Sequence, residues 1–329
     1  MGMLVEGRWV DDDASKRNDP KGAFVRPDSV FRNRITRDGS SGFPAEANRY
    51  YLFVAPSCPW AHRTLIVRRL KQLEEVISVS SADGPRTEGW SYSSGIDELQ
   101  PRNAVLHLHD IYTAASPRYT GRVTVPTLWD RRRRTIVNNE SSEIIRMLNS
   151  EFGRWADNSI DLYPEHLRRD IDEINVFVYE RVNNGVYRCG FARSRAAYEE
   201  AFRRLFDALG VLEERLSKQR FLVGSELTEA DVRLFPTLVR FDAVYHYLFK
   251  CNPRRMEDYP SLSNYLRDLY QRRGFGDTVD IERVKEGYYA LPAVNPSGIV
   301  PIGPLLDFSR PHNRARFAEL PQAQSPAEQ

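Results

Sequence analysis

The chain has 329 residues, 41% apolar and 28% charged, with a formal net charge of +2. That length suits two domains and that composition an ordinary folded protein, while the small charge removes the electrostatic case for nucleic acid or a membrane surface as partner. Three widely spaced cysteines (Cys58, Cys189, Cys251) form no C-x-x-C pair, and the six histidines show no ligand spacing, so neither a disulfide framework nor a metal is expected. No stretch approaches about eighteen apolar residues, and the first residues lack a signal peptide's apolar core. Sparse cysteines suit a reducing compartment, so a cytoplasmic location is expected.

In chain order, residues 1–46 are rich in Asp, Arg, Gly, Ser and Pro without sustained periodicity and read as an irregular arm, able to wrap over a domain. Tyr50 to Ala55 is apolar throughout and reads as a central strand. Pro59 to Leu73 follows as a helix, with Leu65, Ile66, Leu70 and Leu73 at helical spacing, and Val76 to Ser80 as a second strand. Strand, helix, strand makes a right-handed βαβ unit with parallel strands. Ala82 to Tyr119 is long and weakly patterned, broken by Gly84-Pro85, Gly95 and Pro101; such segments are functional or carry short helices.

Gly121 to Asp130 and Ile136 to Asn139 read as two strands joined by an exposed turn, Arg131-Arg132-Arg133-Arg134. Pro126 stands where a strand tolerates proline and a cis bond can form. Glu140 to Leu148 starts a helix with acidic and hydroxyl residues in its first turn. This β-α-β, β-β-α order is that of thioredoxin. From 157 a linker leads into helical periodicity up to Lys285, clearest in the stripe Tyr198, Phe202, Leu205, Phe206, Leu209, Leu212 and Leu216. Thr228 to Asp231 reads as a capping box. The tail is Pro-rich from Pro292, and its polar end, Gln322 to Gln329, is expected to be disordered. The expected boundaries are 1–46 (arm), 47–156 (thioredoxin-like domain), 157–290 (all-α domain) and 291–329 (tail).

Ser57-Cys58-Pro59-Trp60-Ala61-His62-Arg63-Thr64 lies at the first strand–helix junction. Pro59 fits the first helical position, which puts Cys58 at the cap, its sulfur facing free backbone N–H groups at the positive end of the helix. A thiol so placed can ionise in the range ~3.5–7.5 instead of ~8.5, which makes a nucleophile of it. A free cysteine is more often a small apolar filler; the cap position sets this one apart. Ala61 occupies the place where a dithiol enzyme keeps its resolving cysteine, so an external thiol must complete any cycle.

Cys58-Pro59-Trp60-Ala61-His62-Arg63-Thr64, Val123-Thr124-Val125-Pro126-Thr127-Leu128-Trp129-Asp130, Ile136 to Arg146, Asn183-Asn184-Gly185-Val186-Tyr187, Phe249-Lys250-Cys251-Asn252 and Asn295 to Pro301 together resemble the glutathionyl-hydroquinone reductases, the xi class of glutathione transferases. The resemblance runs from Met1 to about Pro304. It implies the glutathione transferase fold, a homodimer, and reduction of glutathionyl-hydroquinones by glutathione, as co-substrate, through a mixed disulfide on Cys58. It also implies a glutathione site made by Trp90, Arg122, the backbone of Val125 beside a cis Pro126, Glu140 for the ammonium and Ser141 for the carboxylate. Tyr187, Tyr245 and Tyr288 would face the aromatic substrate.

For Glu140 and Ser141 ordinary helix capping is the competing explanation, and for Trp90 and the tyrosines ordinary packing. The chain departs from the family around Lys285-Glu286-Gly287-Tyr288, at His246-Tyr247-Leu248 and at Gly84-Pro85-Arg86. These changes bear on the aromatic substrate and leave the thiol chemistry alone. Two other readings share the fold: an omega-like thiol transferase acting on other glutathionylated molecules, and a non-catalytic binder of aromatic ligands.

Overall fold

The computed structural model describes residues 2–11, 18–84, 86–93 and 106–318. The end at Gln322–Gln329 and the breaks at Pro85, Gly95 and Pro101 lie outside the described residues.

The arm, expected to be irregular, opens with an antiparallel hairpin of β1 (Gly2–Val5) and β2 (Arg8–Asp11). Its turn residues, Glu6 and Gly7, both have positive φ (48° and 78°), as a two-residue turn between twisted strands requires. With Glu at the first turn position in place of the usual Asn or Asp, the sequence carries little signal for it. Leu4 bridges to Gly121, which ties the hairpin to the sheet domain. Residues 18–46 form no strand or helix and run over that domain, burying Ile35 and Phe43.

β3 (Tyr50–Val54) is the inner strand expected from its apolar run, with four of its five residues buried. It pairs in parallel with β4 (Ser78–Ser81) and antiparallel with β7 (Thr127–Asp130), which turns into β8 (Thr135–Asn138). The sheet order is β4-β3-β7-β8. The four arginines form the β7–β8 turn, and the last three are exposed. α1 (Pro59–Leu70) connects β3 to β4 and stops three residues before the apolar pattern does. There Gln72 turns left-handed (φ 54°) and the Leu73 N–H reaches back to the Arg68 carbonyl, a helix end that usually uses glycine. The weakly patterned segment holds a two-stranded ribbon, β5 (Ser91–Tyr92) with β6 (Leu106–His107), and then α2 (Leu108–Ala115). α3 (Ser141–Ser150) completes this half.

The second half is helical: α4 (Arg168–Val178), α5 (Gly185–Gly190), α6 (Arg195–Lys218), α7 (Glu229–Val239), α8 (Pro260–Tyr270) and α9 (Ile281–Tyr289). The α6 stripe buries Leu205, Leu209, Leu212 and Leu216, with Tyr198, Phe202 and Phe206 half-buried at its margin. α1 packs on α3 within its own half and on α7 from the other, so the helix that carries Cys58 lies at the seam. A Cβ at Gly287 would fall 2.4 Å from Ser57 Cβ; only glycine lets α9 approach the Cys58 loop this closely. The tail folds back on the helices through Lys285 Nζ to the Ile302 carbonyl (2.9 Å) and Arg314 to the Leu216 carbonyl (2.6 Å).

Asp231 in α7 is buried and accepts from the Leu222 N–H (2.9 Å), the Thr228 N–H (2.9 Å) and the Tyr265 hydroxyl (2.7 Å). The Thr228 hydroxyl donates to it too (3.2 Å), so Asp231→Ala would strand four buried donors, and the expected loss is about 2–4 kcal/mol. Urea unfolding measures it, and a loss below about 1 kcal/mol would show that this corner is held by other contacts.

Candidate active site

Cys58 caps α1 as expected. The Ala61 N–H points at its sulfur (3.5 Å), and the thiol itself donates to the Val125 carbonyl (3.4 Å). The sulfur is half-buried on the wall of a cavity of about 510 Å³ between the two halves. Burial pushes the thiol up from its ordinary value, and this outweighs the downward pull of the Ala61 and Trp60 N–H groups and of Arg240 and Arg26. The depressed value expected from the cap alone is therefore corrected: the thiol stands above its ordinary value. The helix end does act in the expected direction, but the side chains crowding the sulfur remove more solvation than it supplies.

The peptide bond between Val125 and Pro126 is cis, and both residues line the cavity beside Cys58. Glu140 is the N-cap of α3; its Oε1 accepts from the Ser142 N–H (3.0 Å) and hydroxyl (2.9 Å), and Oε2 from the Ser29 hydroxyl (3.0 Å). Ser141 begins the helix, and its hydroxyl accepts from Arg63 (3.4 Å). Burial pulls the Arg63 guanidinium down to about 9, with the nearby Arg233 adding to the effect and Glu140 opposing it. Trp90 and Arg122 stand on the same cavity wall, and Arg122 also reaches the Gly2 carbonyl (3.4 Å).

Across from the thiol, Tyr187 of α5 and Tyr288 of α9 line the cavity with hydroxyls 2.6 Å apart. Tyr245 does not reach the cavity wall. It is fully buried behind Tyr288, and the two hydroxyls are 2.9 Å apart. Burial pushes all three phenols up, so they stay protonated at neutral pH.

A cap thiol, a cis proline and a helix N-terminus on one side, with phenols on the other, form a two-part site. Residues 57–151 match the family model for the glutathione S-transferase N-terminal domain, and 195–268 the model for its C-terminal domain. The chain is 50% identical to the glutathionyl-hydroquinone reductase PcpF of Sphingobium chlorophenolicum, across 92% of this chain and 96% of that one. It is 45% identical to the glutathionyl-hydroquinone reductase YqjG of Escherichia coli, across 95% and 98%. The chain belongs to the xi-class glutathione transferase family.

Among solved structures, the xi-class enzyme of Natrialba magadii superposes with a TM-score of 0.87 at 45% identity, covering 96% of this chain and 97% of that one. The glutathione-bound structure of E. coli YqjG gives 0.85 at 44% identity, covering 95% and 99%.

The xi-class fold brings into the cavity three residues that the sequence did not single out for it. Arg26, from the arm, lies over the Trp60 ring (4.4 Å) and the Tyr187 ring (5.2 Å) and donates to Asn184 Oδ1 (2.9 Å). Arg86 lies over the Trp90 ring (3.8 Å) and donates to the Gly287 carbonyl (3.2 Å), and Phe24 adds an apolar face. An aperiodic arm gives no cue to Arg26 or Phe24. The cue for Arg86 was its unusual setting before Trp90. Away from the cavity, His109 stacks on His107 (ring centroids 5.0 Å apart) and pairs with Glu88 (3.0 Å) and Asp110 (3.2 Å).

Burial pushes the Glu140 carboxyl up, but Ser142, Ser29 and Arg63 outweigh it and hold the group below its ordinary value of 4.5. A carboxyl lowered by folding stabilises above the unfolded value, and that contribution is lost as pH falls through the folded one. Glu140→Gln is therefore expected to be less stable than the parent at neutral pH by about 0.5–2 kcal/mol, with the gap closing below about pH 4.5. Thermal unfolding against pH measures this, and a gap independent of pH would contradict the assignment.

Proposed function

We propose that this protein reduces glutathionyl-hydroquinones to hydroquinones with glutathione, through a mixed disulfide on Cys58. The observation that carries this is one cavity lined by Cys58 from the sheet half and by Tyr187 and Tyr288 from the helical half. Two relatives matched over nearly their whole length bear the glutathionyl-hydroquinone reductase name, which supports the same choice.

Glutathione lies with its cysteinyl part along Val125, as an added strand would, and with its γ-glutamyl end at Glu140 and Ser141. Arg122 and Trp90 flank it. The Cys58 thiol donates to the Val125 carbonyl, the group that a paired tripeptide engages, so the bound tripeptide competes with the thiol for that acceptor. The Cys58 thiolate attacks the glutathione sulfur of the thioether. The S–C(aryl) bond breaks, its electron pair stays on the ring carbon, and that carbon takes a proton as the hydroquinone leaves. Tyr187 and Tyr288, held protonated by burial, donate hydrogen bonds to the hydroquinone oxygens, with Tyr245 supporting Tyr288 from behind. A second glutathione thiolate attacks the mixed disulfide, releasing oxidised glutathione and the Cys58 thiolate. With Ala61 where a second thiol would stand, no internal cysteine competes for this step.

A glutathionyl-hydroquinone and a simple glutathione mixed disulfide, compared as substrates, separate this function from omega-like thiol transfer. The expected result is a higher kcat/KM for the hydroquinone conjugate and loss of at least about 10³-fold in Cys58→Ser with folding intact. Negligible turnover of the conjugate would overturn the proposal, and full activity of Cys58→Ser would point to a binding protein.

A homodimer in the cytoplasm completes the proposal. The described residues contain no helix long and apolar enough to cross a membrane, and all three cysteines are free, as a reducing, glutathione-rich compartment keeps them. The tail exposes Ile299 (72%) and Ile302 (91%), and Tyr247 is exposed as well (73%), apolar side chains that a second copy can cover. Light scattering is expected to give twice 38.0 kDa, and a 38.0 kDa particle at micromolar concentration would contradict it.

A further inference from the structure

Arg240 directly follows α7, in an apolar run from Leu234 to Phe241, and is 2% exposed. Its guanidinium donates to the Pro56 carbonyl (2.8 Å) and the Ser57 carbonyl (3.3 Å), the two residues just before Cys58. It donates also to the carbonyl of Pro236 (2.9 Å) and to Nδ1 of His62 (2.9 Å). His62 must therefore accept at Nδ1 and carry its proton on Nε2, which lies 2.9 Å from Thr278 Oγ1. That hydroxyl donates onward to the Phe275 carbonyl (2.7 Å), so it is free to accept from the imidazole. Burial, then the Arg240 charge, hold His62 neutral, in agreement with this tautomer.

Every one of these partners is neutral. A buried cation is normally matched by a carboxylate, because stripping it of water costs several kcal/mol. Here none of the hydrogen-bond partners supplies a negative charge. Among the described residues, a group beside this loop able to supply one is the Cys58 sulfur, at the end of the loop that Arg240 clamps.

We infer that Arg240 is the positioning residue of the thiol: it fixes the Pro56-Ser57 loop that presents Cys58 to the α1 N-terminus, and it supplies the buried positive charge that a Cys58 thiolate balances. On ionisation the proton passes to the water of the cavity and the charge pair Arg240–Cys58 forms in place of an uncompensated cation. The other groups facing the sulfur are the N–H groups of Trp60 and Ala61, Arg26 from the arm, Arg86 beside Trp90, and the neutral phenols Tyr92, Tyr187 and Tyr288. Arg240 differs from Arg26 and Arg86 in being buried and in holding the loop itself. The role builds on Cys58 being the nucleophile proposed above.

The test follows the rate of Cys58 alkylation by iodoacetamide against pH, read on the Cys58 peptide by mass spectrometry, in the parent protein, Arg240→Met and Arg240→Lys. Cys189 and Cys251 are buried and do not interfere. Arg240→Met is expected to raise the midpoint by on the order of one pH unit, and to lower kcat/KM at neutral pH about tenfold with recovery as pH rises. Arg240→Lys keeps the charge without the fork and is expected to hold the midpoint near the parent's while lowering kcat at every pH. A folded Arg240→Met with the parent's midpoint would overturn the inference. If Arg240→Met does not fold, a midpoint in Arg240→Lys raised by a full unit would do the same. The alkylation readout needs no substrate, so a parent that alkylates as expected but turns over no conjugate would instead count against the proposed function.

Discussion

Burial and ionisation oppose each other at Cys58, and most of the surrounding structure bears on that conflict. The side chains packed around the sulfur strip it of much of its solvation, and this disfavours the thiolate. The first turn of α1 contributes oriented N–H groups that cost no reorganisation. Arg240 and Arg26 contribute charge from two other parts of the chain. The thiol also donates to the Val125 carbonyl, a contact that only the protonated form can make.

The two halves divide the work by chemistry. The sheet half offers groups suited to a tripeptide: a strand-like edge at Val125-Pro126 and the charged and hydroxyl groups at the start of α3. The helical half offers groups suited to an aromatic ring, Tyr187 and Tyr288, and places them against the thiol through Gly287, where α9 touches the Ser57 loop. The same residue that permits this contact sits in the stretch where the chain departs from the family pattern, and its carbonyl accepts from Arg86, another departure.

Much of this was legible in the sequence, for identifiable reasons. An apolar strand followed by Cys58-Pro59 and a helical stripe marks a strand, a cap and a helix by local chemistry alone; the strand, the cap and the start of the helix stand where expected. The α6 stripe and the Thr228–Asp231 box are local signals too. What stayed hidden depends on the third dimension. Arg26 and Phe24 belong to an arm without periodicity, and nothing near them in sequence says which cavity they reach. Arg240 did leave a mark, a lone cation inside an apolar run, but its partners lie about 180 positions away. Tyr245 shows the converse: expected beside Tyr187 and Tyr288 at the substrate, it stands one layer behind the cavity lining. The end of α1 was missed because Gln72 takes a backbone conformation that glycine usually marks.

The central claim is that one thiol, Cys58, carries glutathione between the substrate and the second glutathione. Intact-protein and peptide mass spectrometry after incubation with a glutathionyl-hydroquinone, without free glutathione, tests it most directly. The account expects one glutathione added, mapped to Cys58, with free hydroquinone released in equal amount, and removal of the adduct on adding glutathione. Release of hydroquinone with Cys58 unmodified, or an adduct on Cys189 or Cys251 instead, would contradict it.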